Sequence, residues 1–491
     1  MSAPDLADLT LDPNQPLQTQ LYHRLVQSIC NGRLTAGSKL PSSRRLSETL
    51  GVSRNTVIQV LEQLKAEGFL GSKPRQGVFI STSLPSHVAA IKEPDWQTSP
   101  RTSADDLPRL STQGESLRNP RLAREKSQPF TPGLPDLEAF PFHIWNRLYR
   151  RHQSRLPLIG YGPSQGYLPL RQALAEYLRS SRGVRCCPDQ IIITNGAQES
   201  LSLCAQVVLN PGDTVVMENP GYRRAHIAFE ANRASLKMVG LKNNYLDVNA
   251  LIKSSMRGKL LFTTPTHQYP MGGVMPAGDR LKLLDWAAQS GCWILEDDYD
   301  SEFSFKHRPV AALQGMAEYT PVLYMGSFSK TLQPGLRLGY LVVPKALVEV
   351  FAQAKEMLSG YSPLLSQAVV SDFIAEGHFV RHLRRMCINY REKWNNFCQL
   401  IRKDLEPQAK LIVNSAGMHV VIATSNMDDI DLSKKLSLQG FGSTPLSFFS
   451  PTKVLKSGLV LGFANTSSED RKSCVKTLKN LLIPTLRTVL T

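Results

Sequence analysis

From about residue 129 onward, short apolar, β-branched segments alternate with helix-like runs, and few architectures accept that pattern. Residues 191–194, 214–217, 260–263, 293–295, 322–326 and 338–343 are such segments. The alternation points to an α/β sheet covered by helices on both faces. No self-similar period of solenoid length runs through the chain.

The 491 residues exceed what one hydrophobic core organises, so two or three domains are expected. Residues 15–81 read as a first unit. Leu17, Leu21, Leu25 and Ile29 recur at helical spacing, and Ser42 or Ser43 can cap a second helix through Leu50. Ser53 can cap a third helix, with Val57, Val60, Leu61 and Leu64 as its apolar face and Gly68 as its stop. Residues 69–80 read as two short strands around Pro74-Arg75-Gln76-Gly77. Helix, helix-turn-helix and hairpin in that order describe a winged helix-turn-helix. Residues 82–128, rich in Ser, Thr, Pro and both charge signs, read as a flexible linker before the unit at 129–491.

The formal net charge of +16 favours polyanionic partners, nucleic acid first and an acidic small molecule or cofactor second. The eight cysteines contain no CxxC pair, so no metal site is expected, and they read as reduced thiols of a cytoplasmic protein. The first residues lack an apolar core of signal-peptide length. No window approaches the roughly 18 uninterrupted apolar residues of a membrane span.

Between residues 33 and 75, eight Lys or Arg stand against three Asp or Glu, a net of +5. In a helix-turn-helix the start of the recognition helix meets the major groove. Arg54 can pair bidentately with guanine there and Asn55 with adenine, while Ser53, Thr56, Arg44 and Arg45 suit phosphate oxygens. Lys73, Arg75 and Gln76 sit at the wing tip, where Gly77 lets the backbone approach the minor groove. One by one these residues could be a solvated helix face; the layout argues for double-stranded DNA. The segment LPSSRRLSETLGVSRNTVIQVLEQLKAEGFL resembles the GntR-type winged helix-turn-helix. The resemblance implies DNA contacts from Arg44, Arg54, Asn55, Thr56 and Gly77. Some members of that family use a further Arg where this chain has Ile58, which implies a different readout.

A second constellation lies downstream. Ser327-Phe-Ser-Lys330 follows an expected strand. A lysine there can form a Schiff base with an aldehyde cofactor, and Ser327 and Arg337 can hold a dianionic phosphate. Glu296-Asp-Asp-Tyr299 ends another strand, where a carboxylate can pair with a protonated pyridine nitrogen. Asn195-Gly-Ala-Gln198 precedes a helix, so its free N–H groups make a phosphate cup. Glu218-Asn-Pro-Gly-Tyr222 offers an aromatic to stack on a flat ring. Thr264-Pro-Thr-His-Gln-Tyr-Pro-Met-Gly272 is a polar loop after a strand, where ligands of open α/β sheets collect.

In this order the set resembles fold-type I aminotransferases, and with the N-terminal reader it is similar to the MocR-type branch of the GntR regulators. The phrases YGPSQGYLPLR, TPTHQYPMGG, EDDYDSEF, GSFSKTLQPGLRLGYL and EGHFVRHLRRM carry the likeness. It implies a winged helix-turn-helix (α+β), then a large α/β aminotransferase-like domain with a smaller C-terminal α+β subdomain, and pyridoxal 5′-phosphate as cofactor. Lys330 would be the catalytic, Schiff-base lysine, with Asp297 at the pyridine nitrogen, Tyr299 at the ring hydroxyl and Tyr222 stacked on the ring. Ala197, Gln198, Ser327 and Arg337 would hold the phosphate, joined by Tyr161 from the other subunit of a domain-swapped homodimer. Arg224 would meet an effector carboxylate. Aminotransferases clamp the substrate carboxylate with an Arg on a late strand. The matching stretch here, residues 457–463, carries Leu459, and no Arg follows before Arg471. A neutral side chain makes no bidentate clamp. The chain thus reads as a DNA-binding transcription regulator that senses an amino compound or the cofactor itself. The alternatives are a working aminotransferase with an appended DNA module and a degenerate domain kept for dimerisation.

Overall fold

Two serine caps shape the N-terminal part of the chain. The Ser42 hydroxyl accepts the Arg45 N–H at 3.3 Å and opens one helix; the Ser53 hydroxyl accepts the Thr56 N–H at 3.1 Å and opens the next. Gly51, at φ 63°, ends the first of these in the left-handed conformation, so the chain turns between them. The helices are α1 (Leu17–Cys30), α2 (Ser43–Leu50) and α3 (Arg54–Ala66). A hairpin follows, β1 (Leu70–Lys73) antiparallel to β2 (Gly77–Ile80), with Leu70 opposite Ile80 and Lys73 opposite Gly77. Leu21, Leu25, Leu46, Val60, Leu64 and Ile80 close one core.

This is a computed structural model, which describes residues 16–73, 76–82, 109–111, 114–115, 127–305, 310–316, 322–412, 416–424, 427–451 and 457–482. The wing residue Arg75 and most of the expected linker lie outside the described residues. The chain divides into two units, residues 1–111 and 112–491.

The second unit is built on an eight-stranded sheet. In chain order its strands are β3 (Ile191–Thr194), β4 (Thr214–Asn219), β5 (Ser235–Lys242), β6 (Tyr245–Leu246), β7 (Leu260–Thr263), β8 (Trp293–Asp298), β9 (Val322–Ser327) and β10 (Gly339–Val342). They lie in the order β3-β10-β9-β8-β7-β4-β5-β6. Strands β9, β8, β7, β4 and β5 are parallel neighbours, whereas β10 runs antiparallel to both β3 and β9. The C-terminal ends of β3, β9, β8, β7 and β4 therefore share one sheet edge. Alternate residues face opposite cores: Val215, Met217, Phe262 and Leu295 pack with Leu201 and Phe229, while Val216, Leu261 and Ile294 pack with Leu283 and Leu284.

Three strands run longer than the apolar pattern predicts. Asn219, Asp298 and Ser327 end β4, β8 and β9, beyond the last apolar residue of each. On β8 the added acid is satisfied by Arg182 and Tyr324, distant partners that periodicity cannot register.

The smaller sheet holds β11 (Ala409–Ile412), β12 (His419–Thr424), β13 (Thr444–Pro445) and β14 (Ser457–Gly462), in the antiparallel order β11-β12-β14-β13. The helices His378–Asp404 and Ser468–Leu482 pack on it and make the expected α+β subdomain. None of the described helices is long and apolar enough to cross a membrane.

Leu64 is fully buried between the helices and the hairpin. Leu64→Ala should destabilise the first unit by about 2–5 kcal/mol, read as an earlier urea transition of that unit.

Candidate functional site

Strand β8 ends in three successive buried acids, Glu296, Asp297 and Asp298. Strand alternation sends the first and third to one face. There Glu296 accepts the N–H groups of Leu313 and Gln314 at 2.9 and 3.0 Å. Asp298 accepts from Arg182 Nε at 2.7 Å and from the Tyr324 hydroxyl at 2.6 Å. Asp297 alone points the other way. Its burial, with the charges of Asp298, Asp300 and Glu218, pushes its pKa up to about 8, and Lys330 offsets part of that rise.

Around Asp297 the edge is aromatic. Tyr222, at the start of the helix Arg223–Ala231, lies stacked toward Phe262 with ring centres 6.3 Å apart. Burial and then the Asp297 charge push its hydroxyl up to about 12. Tyr269 meets Tyr222, Tyr299, His419 and Phe449 edge-on, with centres 5.2–5.7 Å apart. The Tyr299 hydroxyl lies 3.0 Å from Nδ1 of His267, and that nitrogen lies 2.9 Å from Oδ1 of Asp300. Behind the ring end, buried Glu218 accepts from Thr263 Oγ1 at 2.6 Å, Thr264 Oγ1 at 2.9 Å and Gln268 Nε2 at 3.0 Å. This locks the loop after β7 to the end of β4. Arg224 is exposed, one residue into the same helix.

The β3–β10–β9 side is cationic and rich in donors. Gly196, at φ 92°, starts the helix Ala197–Val208 without a side-chain cap. Among the described residues no acceptor meets the N–H of Ala197 or Gln198. Arg337 adopts φ 52°, unusual for a non-glycine, and its Nη2 donates to the Asn195 carbonyl at 3.0 Å. Ser327 closes β9 and caps the next short turn by accepting the Ser329 N–H at 3.1 Å. Between the two ends stands Lys330, whose Nζ donates to the Gly133 carbonyl at 2.7 Å. Gly133 holds φ +77°, and a Cβ there would lie 2.0 Å from Nζ. Sequence reading missed Gly133, because a lone glycine 197 residues upstream carries no signal of meeting a lysine.

These groups fit pyridoxal phosphate. A buried carboxyl that faces the site suits the ring nitrogen, a held amine suits the aldehyde, and free helix N–H groups with an Arg suit the phosphate. Within one chain Tyr161 joins none of this: it is 96% exposed and packs edge-on against Tyr361 at 5.9 Å.

The reader presents Arg45, Arg54, Asn55, Gln76 and Gly77 exposed. Arg44 is exposed too and pairs with Glu48 at 3.3 Å. The Ser53 and Thr56 hydroxyls are bound to each other at 2.8 Å, so only one hydroxyl proton of the pair is left for a phosphate. Lys73 lies over the Phe79 ring at 5.2 Å. Lys39, which the sequence reading passed over, bridges to Phe79, and its side chain crosses Gly77 at the wing.

Two family patterns match the chain. One, described as bacterial regulatory proteins of the gntR family, covers residues 17–80; the other, aminotransferase class I and II, covers residues 141–477. The probable rhizopine catabolism regulatory protein MocR of Rhizobium meliloti is 38% identical over 97% of this chain and 95% of its own length. The chain belongs to the MocR-type subfamily of GntR transcription regulators. The pyridoxine biosynthesis regulator PdxR of Corynebacterium glutamicum is 31% identical, over 94% of this chain and 95% of its own. Among solved structures, the α-aminoadipate aminotransferase LysN of Thermus thermophilus, complexed with N-(5′-phosphopyridoxyl)-L-leucine, superposes with TM-score 0.71 at 27% identity. It covers 76% of this chain and 97% of LysN. This MocR-type protein is thus a DNA-binding transcription regulator, and pyridoxal phosphate is the cofactor of its aminotransferase-like fold.

The regulator's late strand β14 carries no arginine. Leu459 packs into the core among the long helices, and the alternate face, toward Tyr269 and Phe449, presents Val460. Arg471 lies off the sheet, with Nε on Asn396 at 2.8 Å and Nη1 on the Thr466 carbonyl at 3.0 Å.

In cofactor-free protein, Asp297 holds its proton up to about pH 8 when folded, against an ordinary value of 3.8. A raised carboxyl contributes stability at low pH that is lost as pH climbs from about 4 through 8. Melting temperature should therefore fall between pH 6 and pH 8, and Asp297→Asn should flatten that fall. Glu296 and Glu302, each raised to about 7 by burial, leave a residual slope. An unchanged slope in the variant would show that Asp297 ionises normally.

Proposed function

We propose that the aminotransferase-like domain is a sensor that holds pyridoxal phosphate at Lys330 and Asp297 and is switched by a small amino compound or by the cofactor itself. The observation that carries this reading is the buried carboxyl of Asp297 at the same sheet edge as the Lys330 amine, with the uncapped start of the helix Ala197–Val208 beside them. When bound, the cofactor supplies an aldehyde that captures amines and a ring that withdraws electrons from them. Lys330 would hold the aldehyde end of the cofactor. Asp297 holds the ring-nitrogen proton. Tyr299, which contacts His267 with Asp300 behind it, would meet the ring hydroxyl. Tyr222 covers one ring face. The N–H groups of Ala197 and Gln198, with Ser327 and Arg337, hold the phosphate. Arg224 takes an acidic group of the effector. The late strand offers Leu459 and Val460 where an arginine would clamp an α-carboxylate, which favours sensing over efficient transamination.

The working unit is a cytoplasmic homodimer, domain-swapped between reader and cofactor unit. Leu156, Ile159, Tyr161 and Met357 are 75%, 67%, 96% and 83% exposed in one chain, a patch that a second copy would cover. The partner subunit's Tyr161 would then reach the phosphate. Residues 15–81 read the operator, 82–128 tether the readers, and 129–491 sense. An effector moves this equilibrium only by binding one arrangement better than the other. In the reader, Arg54 and Asn55 contact bases, while Arg44, Arg45, Ser53, Thr56, Lys73, Arg75 and Gln76 hold the backbone and wing. The exposed Ile58 on α3 suits a thymine methyl group.

Absorbance titration of the cofactor-loaded protein against a panel of amines tests the sensor. One amine that shifts the spectrum without releasing pyridoxamine phosphate is expected; conversion that a keto acid reverses would make the protein a transaminase. After borohydride reduction, Lys330→Ala should lose the phosphopyridoxyl mass increment, and a persisting adduct would place the tether on another lysine. In competition binding, Arg54→Ala should lose about 1–3 kcal/mol of preference for operator over scrambled DNA. An intact preference would remove Arg54 from base readout.

A further inference from the structure

An acid sits where a phosphate is to be bound. Glu199 occupies the third position of the helix Ala197–Val208, one residue after Gln198. Its carboxylate turns back to accept the Asn195 backbone N–H at 2.5 Å and the Asn195 side-chain amide at 3.1 Å. These bonds, with the Arg337 bond to the Asn195 carbonyl, hold the turn that leaves the Ala197 and Gln198 N–H groups outward. Yet a bare carboxylate in the first turn would repel a dianion arriving at those same groups.

The charge is answered from a distant helix. Lys355, on Val348–Ser359, is fully buried, and its Nζ lies 3.2 Å from Glu199 Oε2. Nζ also donates to Ser359 Oγ at 3.1 Å, and the Ser359 hydroxyl donates to Glu199. Burial opposes ionisation of Glu199, but the Ser359 and Asn195 hydrogen bonds and the Lys355 charge together hold its pKa below the ordinary carboxylate range. Ser359 ends the helix two residues before Tyr361, the residue against which Tyr161 packs.

Building on the cofactor reading above, we propose that Lys355 is a positioning residue for the cofactor phosphate: it neutralises Glu199, so that this acid can brace the Asn195–Gln198 turn without repelling the dianion. Lys355 touches no cofactor atom itself. It acts through charge and through the shape of the cup.

The test uses cofactor-free, full-length protein titrated by absorbance with pyridoxal 5′-phosphate and, separately, with pyridoxal, which lacks the phosphate. Lys355→Met should weaken the phosphorylated ligand at least about tenfold, the scale of one lost charge-assisted hydrogen bond, and leave pyridoxal within about twofold. The affinity of Lys355→Met for pyridoxal phosphate should also improve as pH falls and Glu199 gains a proton. The double variant Lys355→Met with Glu199→Gln, which has neither charge, should recover most of the loss. Lys355→Gln keeps polar contacts without charge and reads the same quantity if Lys355→Met does not fold. Equal weakening of both ligands, or no recovery in the double variant, overturns the proposal in favour of a purely structural lysine. A wild-type protein that binds both ligands equally would overturn the phosphate cup and this proposal together, whereas failure in the variants alone leaves the cup standing.

Discussion

Three consecutive buried acids at the end of β8 set the terms for the second unit. A carboxylate out of water has to be paired, hydrogen-bonded or protonated. The fold provides for Glu296 with two backbone N–H groups and for Asp298 with Arg182 and Tyr324. It leaves Asp297 facing the sheet edge with a raised pKa. Much of the surrounding architecture follows from that division. Arg182 has to reach β8 from the helix Leu168–Arg182, and its Nη2 also holds Thr266 at 2.9 Å, which fixes the loop after β7. The acids paired on one face stiffen the strand, and Asp297 faces the site on the other, within reach of the Lys330 charge.

The same loop is held from its second side by Glu218, whose carboxylate gathers Thr263, Thr264 and Gln268. Tyr269 then becomes an aromatic hub between the two sheets, touching Tyr222 and Tyr299 of the large sheet's edge and His419 of the small one. Burial lowers the His419 pKa to about 4, and its Nε2 lies 2.8 Å from the Pro270 carbonyl. It therefore braces the loop as a neutral donor. Gly417 makes room for the neighbouring His267, since a Cβ there would lie 2.1 Å from that ring. The smaller subdomain thus completes the ring end of the site.

The reader obeys a different economy. Its core is thirteen buried aliphatic side chains, and most of its described charged residues remain exposed. The Arg44–Glu48 pair at 3.3 Å joins two exposed side chains and contributes little to stability, so Arg44 can exchange it for a phosphate at small cost. Where the cofactor edge concentrates charge by burying it, the reader keeps charge in water and ready for exchange with DNA counterions.

Local signals settled much in advance. Serine caps, Gly51 and the apolar period placed all three reader helices, because capping and amphipathicity act within a few residues. The β-branched runs located six strands of the large sheet and both ends of β3 and β7, but not β5 or β6, and they stopped short on β8 and β9 because Asp297, Asp298 and Ser327 look like loop residues until buried partners are known. The motifs at Lys330, Asp297, Tyr222 and Gln198 announced a shared chemistry, and the fold gathers them on one edge because parallel strands aim their C-termini alike. Pairings across long separations stayed out of reach. Gly133 under Lys330, Lys355 against Glu199 and Lys39 across Gly77 join residues with no common local pattern. The residue types and their order were determined by the chain alone. Which acid is left unpaired, and which lysine neutralises which acid, was decided only when distant elements packed, since burial and charge pairing are properties of the folded neighbourhood.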